Sequence, residues 1–143
     1  MPRSAINGKD KPRILTTVTV SNPAAGADWS YTVPTGGGRT LESVSYVFLN
    51  DAQAGNRLGR VRVRRGGVAI YQAAASAVTV ANGTGTYSFA KGLVANTVTS
   101  TSPLNPLFKA PPLLAGDVID SNCLNIQTGD QFSAILLQFS GVQ

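Results

Sequence analysis

The sequence contains no histidine and a single cysteine, and charged residues make up only 13% of it. Without histidine there is no ordinary Ser-His or Cys-His nucleophile pair, no imidazole general base and no imidazole metal ligand. Cys123 has no second cysteine with which to form an internal disulfide. The longest clean apolar run is Ala134-Ile135-Leu136-Leu137, far short of the roughly 18 residues a membrane-spanning helix needs. No signal-peptide-like apolar stretch follows Met1-Pro2-Arg3-Ser4, so synthesis in a reducing cytoplasm is expected. Helix signals are scarce as well: Ala73-Ala74-Ala75-Ser76-Ala77 is the one helix-prone run, and so short a run does not nucleate alone.

What the chain has in quantity is β-forming residues. Val, Ile and Thr account for 33 of its 143 residues, the types that fit a pleated surface. The length suits one domain with a real core. Residues 1–13 carry Arg3, Lys9, Lys11 and Arg13 with Pro2, Gly8 and Pro12, too few apolar groups to order themselves by burial, and are expected to form an extended basic arm ahead of a domain spanning 14–143. In that domain, short strands are expected at 14–20, 28–33, 40–49, 58–64, 68–72, 78–80, 86–90, 118–126 with a break, and 132–140. Between them stand turn signals such as Gly36-Gly37-Gly38, Gly66-Gly67, Asn82-Gly83, Gly116-Asp117 and Gly129-Asp130. Many short strands with no interleaved helices imply an all-β antiparallel sandwich, and eight or nine of them imply the jelly-roll type. The segment Ser102–Leu114 holds four prolines, which argue against a ladder strand, and apolar residues including Leu107 and Phe108 that must pack on the sandwich or on a neighbour.

Charge is unevenly spread: residues 1–72 hold ten Lys/Arg and four Asp/Glu, residues 73–143 two and three. The basic half contains Arg57-Leu58-Gly59-Arg60-Val61-Arg62-Val63-Arg64-Arg65, where strand alternation sends Arg60, Arg62 and Arg64 to one face and Val61 and Val63 to the other. A charged edge strand that blocks aggregation is one reading. The planar, five-donor arginine head favours a second, recognition of an anionic partner by Arg57, Arg60, Arg62, Arg64 and Arg65 together with the arm. Interleaved exposed aromatics, which a single-stranded nucleic acid would need, are missing; Tyr46 and Phe48 share the face of Val44 and read as core. Asp117 and Asp130 follow glycines and read as turn residues rather than as an acid/base pair. Gly36-Gly37-Gly38-Arg39-Thr40 lacks the lysine and spacing of a phosphate loop, and Cys123 reads as a buried inert thiol. No catalytic, cofactor or metal site is expected.

Three stretches carry a resemblance: Pro111-Pro112-Leu113-Leu114-Ala115-Gly116-Asp117-Val118-Ile119, then Asn125-Ile126-Gln127-Thr128-Gly129-Asp130-Gln131-Phe132-Ser133, then Leu136-Leu137-Gln138-Phe139. With Asp28-Trp29-Ser30-Tyr31-Thr32-Val33-Pro34 and Leu41-Glu42-Ser43-Val44-Ser45-Tyr46-Val47 upstream, the pattern resembles small virion structural proteins of tailed bacteriophages, particularly jelly-roll capsid decoration (cement) proteins. The resemblance implies a homotrimer seated on the outside of an icosahedral shell, bound to the major capsid protein, with no enzymatic activity and no membrane or nucleic-acid partner. The family has no shared catalytic motif to carry over, so the expected contact residues (the arm, the arginine strand, Leu107 and Phe108) rest on local physics. The alternative is a receptor- or glycan-binding tip of a tail or head fibre, for which Trp29 and Tyr87 are the candidate loop-tip aromatics.

Overall fold

The computed structural model describes residues 13–36, 38–93 and 102–142. Nine strands run through them: β1 (Arg13–Val20), β2 (Ser30–Thr32), β3 (Arg39–Leu49), β4 (Arg60–Arg65), β5 (Val68–Ala74), β6 (Thr84–Ala90), β7 (Leu104–Pro106), β8 (Val118–Ser121) and β9 (Gln131–Val142). They form an all-β sandwich of two sheets, ordered β1-β9-β3-β6-β7 and β2-β8-β4-β5. Every pairing is antiparallel except β6 with β7. Most connections cross from one sheet to the other. The exceptions are β4 to β5, joined by Gly66 and Gly67 at φ 58° and 80° as a two-residue hairpin of the kind such a pair predicts, and β6 to β7.

The core forms where the alternating sides of these strands meet. Tyr46 lies at its centre, stacked on Tyr87 at 5.2 Å and met edge-on by Phe132 at 5.3 Å and Trp29 at 6.0 Å; Phe48 stacks on Phe132 at 4.3 Å. Val61 and Val63 face inward and are fully buried, as the alternation of β4 predicts.

Two irregularities explain inward residues that strict alternation misses. Glu42 is an extra residue of β3 between Leu41↔Phe139 and Ser43↔Gln138, so Leu41 and Val44 both point to the core. In β9 the register shifts again opposite Ser45 and Val47, at Ala134 with φ 49°, and this brings Phe132 and Ile135 to the same side.

Three expectations change. The stretch around Val78–Val80 contributes only a bridge between Thr79 and Arg57. The proline-rich segment does hold a strand: β7 lies at a sheet edge, is three residues long and ends on Pro106, the restricted setting in which a proline is tolerated. Its Asn105 is fully buried, donating to the carbonyls of Ser88 and Pro103 and accepting from the Ser76 amide. Finally, the arm is one residue shorter than expected, because Arg13 already pairs with Val142; Arg3, Lys9 and Lys11 lie outside the described residues.

Candidate functional site

The arginine strand is not an edge. β4 sits between β8 and β5, which removes the aggregation-guard reading, and its register explains where its cations go. Arg62 stands directly opposite Asp120 of β8 and grips it with Nε at 2.9 Å and Nη2 at 2.9 Å. Arg64, two residues on and on the same outer face, closes on the same carboxylate at 2.9 Å. Asp120 is thereby buried on the outside of the sheet, roofed by two guanidiniums. Arg60 donates through Nε to the Asn122 carbonyl at 2.6 Å.

Arg65 and Arg57 flank this ladder, each against a Gly-Asp turn. At Gly116-Asp117, the carboxylate accepts from the amide three residues back, Leu114, at 2.8 Å, and from Arg65 Nε and Nη2 at 2.9 and 2.8 Å. The Arg65 hydrogen bonds hold the Asp117 carboxyl below its ordinary range against the opposing effect of burial. At Gly129-Asp130, the amide three residues back is Gln127, at 2.8 Å, and the arginine is Arg57, with Nε and Nη2 each at 3.0 Å.

Arg57 goes further. Its Nη1 donates to the carbonyls of Gln53 at 2.8 Å and Gly55 at 2.6 Å, and Nη2 also to Asp51 at 2.6 Å. All five guanidinium N–H groups have acceptors, and the side chain is fully buried. Burial pushes the Asp130 carboxyl up, yet Arg57 and the Asp51 and Gln127 amides outweigh it and lower its pKa.

The expected partner-binding set therefore divides. Arg57 is removed from it, because a fully buried and fully satisfied guanidinium has nothing to offer a second molecule. Leu107 is removed too: it is buried, with its amide bonded to the Ala90 carbonyl. Arg62, Arg64 and Arg65 remain partly exposed but already hold carboxylates of their own chain. Arg60 stays within reach of a partner, and Phe108 is 73% exposed. It borders a shallow cleft of about 350 Å³ between β5 and β7, lined also by Tyr71, Ala74, Asn105 and Pro106. Trp29 and Tyr87, the aromatics considered for a binding tip, are core residues.

The anionic partner of the arginine strand is thus largely the C-terminal third of the same chain. The charge imbalance between the two halves of the sequence is long-range internal complementarity, with Arg57, Arg62, Arg64 and Arg65 meeting Asp130, Asp120 and Asp117 across more than fifty positions. Two equally spaced Gly-Asp turns in the acidic half and a surplus of arginine in the basic half were the available signal.

Asp117, Asp120 and Asp130 are each committed to a guanidinium, so none stands free as a general base. Burial pushes the Cys123 thiol up to about 12, which keeps it protonated and unreactive at neutral pH. Among the described residues no group of three His, Cys, Asp or Glu side chains is placed to hold a metal ion. Comparisons of the chain with protein-family models, curated proteins and solved structures find no match.

Proposed function

We propose that this chain is a non-catalytic phage virion structural protein, a decoration or cement protein that binds the outside of an assembled head as a homotrimer and stabilises it. The observation that carries the reading is a division of labour on the surface. The ionic groups of the sandwich are largely spent on locking its own strands and turns, while large apolar side chains, among them Leu15, Val68, Val80, Phe108 and Leu114, are left exposed. Such groups gain most by being covered by other polypeptides.

The strand order supports the jelly-roll form of the fold. With the short edge strand β7 set aside, β1-β9-β3-β6 faces β2-β8-β4-β5, two four-stranded sheets interleaved along the chain. The major capsid protein is the partner of this reading, contacted by the basic arm, Arg60 and Phe108. Stabilisation follows from mass action, since a ligand that binds the assembled shell and not its separated subunits shifts the equilibrium toward the shell. A trimer multiplies three weak contacts by avidity. The fibre-tip alternative is weakened by the burial of Trp29 and Tyr87.

Mixing the purified protein with undecorated capsids tests the proposal. Co-sedimentation and a higher capsid melting temperature are expected; absence of both, or attachment of the isolated protein to host cells instead, overturns it.

A further inference from the structure

A two-sheet sandwich has four edges, and three of them here are blunted. β2 is three residues long. β7 is three residues long and ends on a proline. β5 is longer, but its pairing with β4 is interrupted by a bulge between Val63 and Arg64. These are the ordinary means by which an edge is kept from pairing with another chain.

The fourth edge, β1, has none of them. It runs eight residues in unbroken register with β9, from Arg13↔Val142 to Val20↔Ile135. It contains no proline or glycine, and from Ile14 to Val20 no charge. Among the described residues no strand covers its other side. Ile14 is 40% and Leu15 66% exposed, and Thr16, Thr17 and Thr19 are exposed as well.

We propose that β1 is a self-pairing edge: it takes the β1 strand of a second copy in antiparallel pairing about a two-fold axis, joining two five-stranded sheets into one continuous sheet. The unused backbone donors and acceptors of an edge specify an extended strand as the occupant, and two further features select this strand. An uncharged β1 has no anionic or cationic row to satisfy, which suits an equally uncharged partner, and β1 is the one long unblunted strand that the described chain presents. Antiparallel pairing also puts the two Arg13 residues at opposite ends, roughly 20–30 Å apart and beyond a Debye length of about 8 Å at physiological salt, whereas parallel pairing would set them side by side. The contact is isologous and therefore closes at two copies. A strand pair alone buries less than the roughly 1,600 Å² of a standard interface, so the association is concentration-dependent and is reinforced where copies are held near one another on a surface.

This pairing goes beyond the decoration reading and stands or falls separately from it. Sedimentation equilibrium of the full chain from micromolar to near-millimolar concentration should show the basal mass doubling, whether that basal unit is one copy or three. Thr17→Lys, an exposed outer-face change, places like charges close to the axis and should weaken doubling at least tenfold. Leu15→Lys should act in the same direction. Mixing Thr17→Lys with Thr17→Glu should restore doubling, an outcome that misfolding cannot produce. Amide exchange in β1 should slow as concentration rises.

No doubling, doubling indifferent to both lysine variants, or β1 amides protected equally at all concentrations, as residues 1–12 folding over the edge would make them, overturns the proposal. Capsid co-sedimentation on the same samples separates the two readings. Protein that doubles through β1 but never binds capsids removes the decoration function alone, whereas capsid binding without doubling removes the β1 pairing alone.

Discussion

The two Gly-Asp turns are built alike and sit in different surroundings. In each, the aspartate amide donates to the carbonyl three residues back, at 3.0 Å, and the carboxylate accepts from the amide of that same residue, at 2.8 Å. In each, a guanidinium then grips both carboxylate oxygens through Nε and Nη2. Yet Arg65 is 40% exposed, while Arg57 is fully enclosed and has drawn in Asp51, Gln53 and Gly55. The comparison teaches that one local motif serves two ends. At Asp117 it trims a surface turn, and at Asp130 it is the knot tying the 50–57 loop to the start of β9.

Breaking the buried member should have the largest effect. Arg57→Ala leaves Asp130 buried without its counter-ion, a change that costs on the order of 3–5 kcal/mol in comparable sites, read as a fall in denaturation midpoint. Arg65→Ala exposes Asp117 to water that is already close by, and a loss of no more than about 1 kcal/mol is expected after solvent screening. Equal losses from the two variants would erase the distinction. A core control of a different kind is Gly59→Ala: a Cβ there would lie 2.7 Å from the Tyr46 hydroxyl and 2.8 Å from the Tyr87 ring. Overpacking of that sort costs about 1–3 kcal/mol, which places this variant between the two arginine variants.

Acid should sharpen the same contrast. Both Asp117 and Asp130 titrate below the ordinary carboxylate value in the folded protein, so their contribution is complete above the unfolded-state pKa, near 4. It is lost as pH falls from there through the lower folded values. Thermal midpoints should be flat from pH 7 to about 5 and then drop. Asp117→Asn should reduce the steepness of that drop while keeping the fold at neutral pH. An unchanged acid slope in this variant would mean that the turn's ionisation is uncoupled from folding.

Most of the fold was legible because alternation and turn chemistry are local. The hairpin at Gly66-Gly67, the inward Val61 and Val63, and the aromatic face of β3 all follow from a period of two. The bulges at Glu42 and Ala134 were not legible, since an extra residue is defined only by the partner strand. Nor was β7, because four prolines argue against any strand and only the edge position permits a short one. The site was legible by half. Arginine spacing placed three guanidiniums on one face, but the carboxylates they meet lie more than fifty residues away, and that register exists only after β4 and β8 have paired. The sequence therefore pointed outward to a partner for charges the fold turns largely inward.

The smallest expected effect lies in Arg65→Lys. The lysine ammonium keeps the charge beside Asp117 but loses the two-pronged grip, and with it the Nη2 bond to the Pro112 carbonyl at 3.1 Å. That carbonyl precedes Leu113, which is buried and donates its amide to the Arg39 carbonyl at 2.9 Å. The guanidinium thus steadies the end of the proline-rich segment as well as the turn. Global stability should move by no more than about 0.5 kcal/mol, as for most exposed ion-pair changes, while amide exchange at Leu113 and Leu114 should quicken severalfold with the rest of the sandwich unaffected. Faster exchange spread through β8 and β9 would instead place this turn in the same cooperative unit as the Arg57 knot, and the two turns would then differ in exposure alone.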